Sequence, residues 1–388
     1  MPAEAPVEQH YRRVLEGLIG VHATQGNAID VLRNGDEIFP AMLDAIRAAK
    51  STVDLCTYVY WTGQIAFHFA DALSDRARAG VRVRVLLDAV GAKSMNRDLV
   101  HQMEDAGCQV EWFRNPRDVG MGDVNNRTHR KVLVCDEEVG FTGGVGIAEE
   151  WEGDAGNPSE WRDTHFKVRG PAVDGLRAAF LSNWAESGRP LFEQADRFPD
   201  QPQPGHSIVQ VIRCPSVVGW GEMATVLIAL LRLARHQVRL TCAYFIPDES
   251  TSRALREAVE RGVVVDVLVP GDHVDKRVVQ VAGEAEYEDV LDAGVTLHRY
   301  QRTMLHAKIL TVDGCVACVG SANFDPRSLG INEEANLVIF DRDVVALLDR
   351  QFTEDLRDAE VVDAEQWRDR GPLQKAAESV TRIVNDQL

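Results

Sequence analysis

The sequence is short of basic residues and has no long apolar run. Lys and Arg number 42 against 60 Asp and Glu, which gives a formal net charge of −18 at pH 7. This imbalance disfavours nucleic acid as a partner, because a protein that follows a phosphate backbone needs clustered Lys and Arg. No apolar segment reaches the length of a membrane-spanning helix without charges, and the N-terminus lacks a signal-peptide pattern. We therefore expect a soluble, cytoplasmic protein.

Cysteine is present without a useful pattern. The seven cysteines are odd in number and widely scattered, which argues against a disulfide framework and for a reducing compartment. Cys315 and Cys318 have the spacing of a redox or metal motif, but they lie in an apolar run without a second Cys or His pair. We interpret them as core-strand residues, and the sequence predicts neither a metal site nor a cofactor.

One short pattern does occur, and it occurs twice. Each copy has a histidine, a lysine two residues later and an aspartate five residues after that: His129, Lys131 and Asp136 within residues 128–136, and His306, Lys308 and Asp313 within residues 305–313. A single copy is equally compatible with a buried strand that has a polar start. Two copies with identical intervals favour a shared function over coincidence.

The repetition extends well beyond these motifs. The corresponding segments are 53–61 with 238–247, 70–91 with 252–273, and 99–113 with 287–300. Each half has the pattern strand–helix–strand–helix–strand–strand, with amphipathic helices that stop at glycines such as Gly80 and Gly262. Alternating helices and strands predict α/β layers. The sequence thus predicts two homologous α/β/α repeats about a pseudo-twofold axis, with one shared active site.

A polar connection separates the halves. Residues 191–207 contain three prolines and few apolar side chains, as is typical of a linker. The predicted division is an N-terminal helical extension, a first repeat, and a second repeat with C-terminal helices: residues 1–25, 26–203 and 204–388.

The paired motifs suit phosphodiester chemistry. Two imidazoles and two ammonium groups are costly to bury together unless an anion occupies the site. A neutral His129 could attack phosphorus while a protonated His306 protonates the leaving alkoxide. Lys131 and Lys308 would supply the positive charge that metal ions supply elsewhere. The sequence therefore predicts a metal-independent reaction through a phosphohistidine.

Seven segments resemble the phospholipase D superfamily and, within it, the bacterial cardiolipin synthases. They are NNRTHRKVLVCD, FTGG, WRDTHFKVRGPAV, YFIPDE, TMLHAKILTVDG, GSANFDPRS and INEEANLVIF, within a resemblance that covers about residues 26–355. It implies two phospholipase D-like repeats, a phospholipid substrate and peripheral membrane contact at the inner face. It also implies roles for eight residues: nucleophile, His129; general acid/base, His306; phosphate ligands, Lys131, Lys308 and Asn323 with Ser321 nearby; carboxylates that orient the histidines, Asp163 and Glu334. Asp136 and Asp313 lie at the far ends of the motif strands, a position that favours a turn role over the alternative of catalysis.

The chain departs from the family pattern in two ways. Gly144 and Gly146 stand where the family often has a hydroxyl or an asparagine, so only the second repeat offers Asn323. The two membrane-spanning helices with which cardiolipin synthases often begin are also missing from this sequence. A subgroup of the family likewise lacks them.

We favour phosphatidyl transfer of the cardiolipin synthase type as the function. The alternatives are a soluble phospholipase D-type phosphodiesterase or nuclease with water as acceptor, and a non-catalytic phosphate- or lipid-binding module. The tryptophans near the motifs could line the mouth of an acyl site or anchor the core: Trp61, Trp151, Trp161 and Trp220. The sequence leaves open the lipid head group, the acceptor and the oligomeric state.

Overall fold

The computed structural model describes residues 7–115, 125–193, 199–214, 221–275 and 277–369. Trp220, which the sequence analysis singled out, lies outside these residues. None of the helices in the described ranges has both the length and the apolar character needed to cross a bilayer.

The elements of the first half begin with the helix α1. They are α1 (Val7–Ile19), β1 (Thr24–Arg33), α2 (Asn34–Ala48), β2 (Thr52–Thr57), α3 (Gln64–Arg78), β3 (Arg82–Asp88), α4 (Arg97–Asp105), β4 (Gln109–Phe113), β5 (Val132–Cys135), β6 (Val139–Gly143), β7 (Thr164–Arg169) and α5 (Ala172–Glu186).

The second half repeats this series and adds one short strand and three helices. Its elements are β8 (Ser207–Cys214), α6 (Glu222–Leu233), β9 (Gln237–Thr241), α7 (Glu249–Glu260), β10 (Val264–Pro270), α8 (Arg277–Glu284), α9 (Tyr287–Asp292), β11 (Thr296–Tyr300), β12 (Ile309–Val312), β13 (Val316–Gly320), α10 (Pro326–Gly330), β14 (Glu334–Phe340), α11 (Arg342–Asp355), β15 (Ala359–Val361) and α12 (Ala364–Arg368).

The strand order confirms the predicted duplication. The described strands form one hydrogen-bonded series, β4-β3-β2-β5-β6-β7-β1-β8-β14-β13-β12-β9-β10-β11-β15. From the central β1–β8 pair outwards, each half has the same order of seven strands. β1 and β8 run antiparallel, with Thr24 opposite Val209 and Asn27 opposite Ser207. This arrangement is the one expected for two copies of an α/β unit related by a pseudo-twofold axis.

The core has three apolar layers. Side chains alternate between faces along each strand, so on β5 Val132 and Val134 face a central cluster while Leu133 faces an outer one. The central cluster joins inner-face residues of both halves with α5 and α11. α2, α3 and α4 cover the outer face of the first half, and α6 and α7 cover that of the second. The two repeats therefore share a buried layer, and their motif segments are held at a common edge.

Several predicted elements need correction. The apolar run 53–61 is a strand only to Thr57, and the strands that carry the motifs begin at Val132 and Ile309, after each lysine. The pattern of six elements also missed β1, β6, β7 and their counterparts, and the C-terminal segment contains β15 between its helices. The boundary near residue 203 stays a prediction.

The N-terminal helix packs on the second repeat. Tyr11 of α1 is fully buried, and its hydroxyl lies 2.7 Å from a carboxylate oxygen of Asp313 and 3.1 Å from the carbonyl oxygen of Leu233. The extension that precedes the first repeat is thus part of the second repeat's packing.

Candidate active site

Backbone pairing across the two repeats positions the histidines. The amide of His129 donates to the carbonyl of Glu333 in the second repeat, with an N–O distance of 2.9 Å. In the mirrored contact, the amide of His306 donates to the carbonyl of Arg162 in the first repeat, at 2.7 Å. Each histidine segment is therefore anchored to the other repeat, directly beside an acidic residue.

The acidic residues pair with the histidines in a crossed arrangement. Nδ1 of His129 lies 3.0 Å from Oε1 of Glu334, and Nδ1 of His306 lies 2.8 Å from Oδ2 of Asp163. Each carboxylate thus contacts the histidine of the opposite repeat. An ionised carboxylate can only accept, so the hydrogen of each neutral ring sits on Nδ1 and the lone pair on Nε2.

Burial decides the charge of the two histidines. It lowers the pKa of His129 to about 4, although Glu334 acts in the opposite direction. Burial and the charge of Lys308 lower the pKa of His306 to about 4. Burial alone would raise the pKa of Glu334, but His129, Lys131 and Ser321 together outweigh it and the pKa is lowered. Asp163 follows the same pattern with His306. Without a bound anion, both rings are neutral at pH 7.

The two lysines are buried beside the rings. Burial lowers the pKa of Lys131 to about 7 and that of Lys308 to about 8. The ammonium of Lys131 donates to the carbonyl of His129 at 2.9 Å and lies 5.5 Å from the ring centre of Tyr58. The ammonium of Lys308 lies 2.9 Å and 3.1 Å from the ring nitrogens of His306. The positive charge of both lysines is therefore lost as the pH rises through about 7 to 8.

The histidines face one cavity of about 230 Å³. Its wall has aromatic and polar parts, formed by Tyr58, Val59, Trp61, Val90, Gly91, Lys93, Ser94, His129, Lys131, Trp151, Trp161, Tyr244, Asp275 and His306. Trp151 is also buried and donates its indole N–H to Asp163. Trp151 is therefore both a core residue and part of the cavity wall. Trp61 and Trp161 also line the cavity but are only partly buried.

The remaining phosphate-ligand candidates lie deeper. Ser321 is fully buried, and its hydroxyl donates to Glu334. Asn323 is also buried, and its side-chain oxygen has no hydrogen-bond partner among the described residues. In the first repeat, a Cβ at Gly144 would lie 2.2 Å from Oδ1 of Asp163. Glycine is required there because Asp163 fills the space that a hydroxyl side chain would need.

The motif aspartates lie away from the cavity. Each has a positive φ, 53° for Asp136 and 51° for Asp313, which short polar side chains tolerate. Each carboxylate accepts three successive backbone amides at the start of a neighbouring strand: Lys50, Ser51 and Thr52 for the first, Arg235, His236 and Gln237 for the second. These contacts fix turns rather than reach the histidines.

Two further groups escaped the sequence analysis. His206, Asp341 and Asp343 come close enough to hold a cation. However, Asp341 already accepts the amides at the N-terminus of α11 and the hydroxyl of Ser207. The second group is His165, which lies two residues after Asp163. It is fully buried, and neither ring nitrogen has a partner among the described residues.

Known proteins share both the sequence pattern and the fold. The domain described as "Cardiolipin synthase, PLD-like domain" matches residues 42–150 and 227–356, which include both motifs. The cardiolipin synthase of Geobacillus kaustophilus is 33% identical over 99% of this chain and 77% of its own length. Cardiolipin synthase 2 of Bacillus anthracis is 32% identical over 92% of this chain and 70% of its own length.

A solved structure confirms the fold. The phosphatidylserine synthase of Haemophilus influenzae superposes with a TM-score of 0.69, covers 97% of this chain and 100% of its own, and is 14% identical. Since the curated relatives match both repeats and nearly the whole chain, this protein belongs to the cardiolipin synthase family of phospholipase D-like enzymes.

Proposed function

We propose that this protein transfers phosphatidyl groups between phospholipids, with phosphatidylglycerol or a related lipid as donor, through a phosphohistidine intermediate. The observation that carries the proposal is the crossed geometry. Two carboxylate-held imidazoles from opposite repeats face one cavity, which suits a phosphodiester bound between them. The names of the relatives support a phospholipid as substrate.

In the first half-reaction, His129 is the nucleophile. Its neutral Nε2 attacks phosphorus, an N–P bond forms, and the P–O bond to the leaving alcohol breaks. The departing alkoxide takes a proton from His306. Glu334 keeps the Nδ1 hydrogen of His129 in place and stabilises the positive charge that the ring acquires.

The second half-reaction reverses these steps with a new alcohol. The acceptor hydroxyl gives its proton to the now neutral His306 while its oxygen attacks phosphorus. The N–P bond breaks, and His129 returns to its neutral form. With glycerol or the glycerol head group of a second phosphatidylglycerol as acceptor, the product is a phosphatidyl ester. With water, it is phosphatidic acid.

His306 needs a bound anion to act as the acid. The ammonium of Lys308 lies within 3.1 Å of its ring nitrogens and helps to keep the pKa of the ring low. A bound phosphodiester anion raises the pKa of a neighbouring imidazole by opposite charge and so opposes that effect. Lys131 instead donates to the backbone of His129 and leaves that ring as a neutral nucleophile.

The phosphoryl oxygens would be held by Lys131 and Lys308, with Asn323 as a further donor. Fixed ammonium groups stabilise the developing charge without a metal ion. We propose no cofactor, and activity is expected to survive chelation by EDTA.

Membrane contact is proposed to be weak and apolar. The acidic surface disfavours tight docking on anionic bilayers, where each basic residue contributes about 1 kcal/mol. Val90 lines the cavity and is exposed, so it can enter the headgroup region. Detergent-dispersed lipid should therefore be turned over faster than intact vesicles.

The test is product analysis. The protein is incubated with phosphatidylglycerol in detergent, with and without added glycerol, and the lipids are identified by mass spectrometry. We expect a diphosphatidyl product whose yield falls when glycerol competes as acceptor. Phosphatidic acid as the sole product would support the phosphodiesterase alternative, and comparable degradation of DNA would support a nuclease. No turnover of either would contradict the proposal. For variants of the active-site histidines, the matched control is His68→Gln, at an exposed histidine on α3.

A further inference from the structure

His165 lines a second cavity, which shares Lys131 with the active-site cavity. This small cavity has a volume of about 10 Å³, and residues of β2 and α2 line it together with His165. Its polar wall includes His165, Lys131 and Thr57, and α2 contributes only Phe39 and Met42. Lys131 also lines the large cavity, so the two cavities share this residue.

The ring of His165 packs against the backbone of Gly143 and is buried. A Cβ on Gly143 would lie 2.5 Å from Nδ1 of His165, so glycine at this position leaves room for the ring. The side chain is 1% exposed, and both ring nitrogens are buried without a partner among the described residues. A buried polar group without a hydrogen bond costs roughly 1–3 kcal/mol, so a bound ligand is the expected explanation.

The cavity fits a single water molecule. About 10–15 Å³ of such volume is the minimum for one water, and a buried water typically makes about three hydrogen bonds. Three residues with polar groups line this cavity: Lys131, whose ammonium can donate, His165, whose neutral ring has a nitrogen that can accept, and Thr57, whose hydroxyl oxygen can accept. The Thr57 hydroxyl donates its own hydrogen to Val59, which leaves its oxygen free to accept.

We propose that His165 is a positioning residue for Lys131. Its ring holds a water molecule that accepts one hydrogen bond from the Lys131 ammonium, while the carbonyl of His129 accepts another. The third N–H is then directed at the anion in the active site. The identity of that anion as a phosphodiester rests on the proposed function, but the arrangement of His165, water and lysine does not.

The charge of Lys131 depends on this support. Burial lowers its pKa to about 7, so a neutral acceptor next to the ammonium helps to keep it charged near pH 7. The charged or titratable groups that act on Lys131 and His165 from the packed elements are Glu334 of β14, Asp163 before β7, Lys308 before β12, Cys56 of β2 and His129. These groups remain when His165 is replaced, so a shift in the lysine's titration isolates the contribution of the ring and its water.

Sulfate binding tests the proposal without catalysis. Sulfate stays fully ionised across the working range, so the pH dependence of its dissociation constant reports protein groups alone. For the wild type, binding should weaken as the pH rises through about 7, where the charge of Lys131 is lost. In His165→Phe, this loss should begin about one pH unit lower, the effect of one missing hydrogen bond to a charged group.

Conservative and control variants separate positioning from packing. His165→Gln keeps an acceptor and should restore the wild-type profile. Met42→Leu alters the apolar wall of the same cavity and should leave the profile unchanged. An unshifted profile in His165→Phe, or equal shifts in His165→Phe and His165→Gln, would overturn the proposal.

A measurement on the wild type covers the case in which His165→Phe does not fold. The ring nitrogens are observed by NMR with ¹⁵N-labelled histidine, and His165→Gln assigns the signal. The His165 signal should move as Lys131 titrates near pH 7, and this movement should vanish in Lys131→Met. A His165 signal that stays constant from pH 6 to 8.5 would contradict the proposal. Failure of lipid turnover would leave this result unaffected and would count only against the proposed function.

Discussion

The two repeats surround their histidines differently. His129 has the edge of Tyr58 beside it, with ring centres 5.1 Å apart. His306 instead has Trp151 and Trp161 together on one side, with ring centres 5.2 and 5.4 Å away, and its ring nitrogens contact Lys308. The backbone thus places the two histidines in equivalent positions, and the side chains around them differ. This difference underlies the proposed division of roles.

The glycine-rich segments that follow the motifs differ as well. Ser321 in the second repeat donates to Glu334, whereas Gly144 at the matching place has no side chain and lies against Asp163. A Cβ on Gly146, the counterpart of Asn323, would lie 2.6 Å from that of Val59. The first repeat therefore presents close-packed backbone where the second presents polar side chains.

The largest expected effect is a difference between the variants of the two histidines. His129→Gln should lower turnover of phospholipid by about 10⁴-fold or more and abolish labelling of the protein by a phosphorus-labelled substrate. His306→Gln should lower turnover by about 10²- to 10⁴-fold, but far less with a p-nitrophenyl ester, whose leaving group needs no proton. Acid-labile label should then accumulate on the peptide that contains His129. Label on His306 would invert the assignment.

The crossed carboxylates come next. Glu334→Gln should slow formation of the phosphohistidine, and Asp163→Asn should slow its transfer to an alcohol, each by roughly 10²- to 10⁴-fold. An amide can donate to Nδ1, which moves the ring hydrogen to Nε2 and removes the lone pair from the cavity. Burst kinetics separates the two steps. Equal effects on one step would contradict the division of roles, and Glu104→Gln at an exposed position on α4 is the control.

A smaller effect compares the glycine-rich segments. Gly144→Ser should displace Asp163, destabilise the fold by about 1–3 kcal/mol through overpacking and reduce kcat at least tenfold. Ser321→Gly removes one hydrogen bond to Glu334 but leaves the contact of Glu334 with His129, so kcat should fall less than tenfold. Thermal unfolding and steady-state kinetics measure both. A greater loss of kcat in Ser321→Gly would reverse the comparison.

The smallest effect concerns α1, which supports only one of the motif aspartates. Tyr11→Phe removes the hydrogen bonds to Asp313 and Leu233 and should lower the free energy of unfolding by about 1–2 kcal/mol, with kcat unchanged at low temperature. Denaturant unfolding tests this. Arg13→Gln, at an exposed position on the same helix, should have no effect. Equal stability of Tyr11→Phe and wild type would show that the contact contributes nothing.

The sequence predicted the duplication and the α/β class because both depend on local periodicity and on motif spacing. It did not predict β1 or β8, the strands that join the repeats. The segment of β1, TQGNAIDVLR, has an interior glycine and mixed burial, and its strand character comes from pairing with β7 and β8. Pairing between distant segments leaves no periodic signal within one of them.

The same limit applies to the site. The sequence pointed to His129, His306, Asp163 and Glu334 as site residues. It did not show which carboxylate pairs with which histidine, because that depends on how the repeats pack. His165 shows the limit most clearly. Its neighbours in the sequence, Thr164 and Phe166, indicate neither that the ring is buried nor whether it has a hydrogen-bond partner.

The crossed pairing also bears on the ancestry of the chain. A single repeat holds a histidine and a carboxylate that cannot meet each other, so an isolated copy would be inert. Two identical copies in a symmetric dimer would complete each other, with both sites chemically the same. Fusion into one chain fixes their stoichiometry at one to one and frees each copy to mutate alone. The tyrosine beside one ring and the tryptophans beside the other are the kind of divergence that a homodimer could never fix.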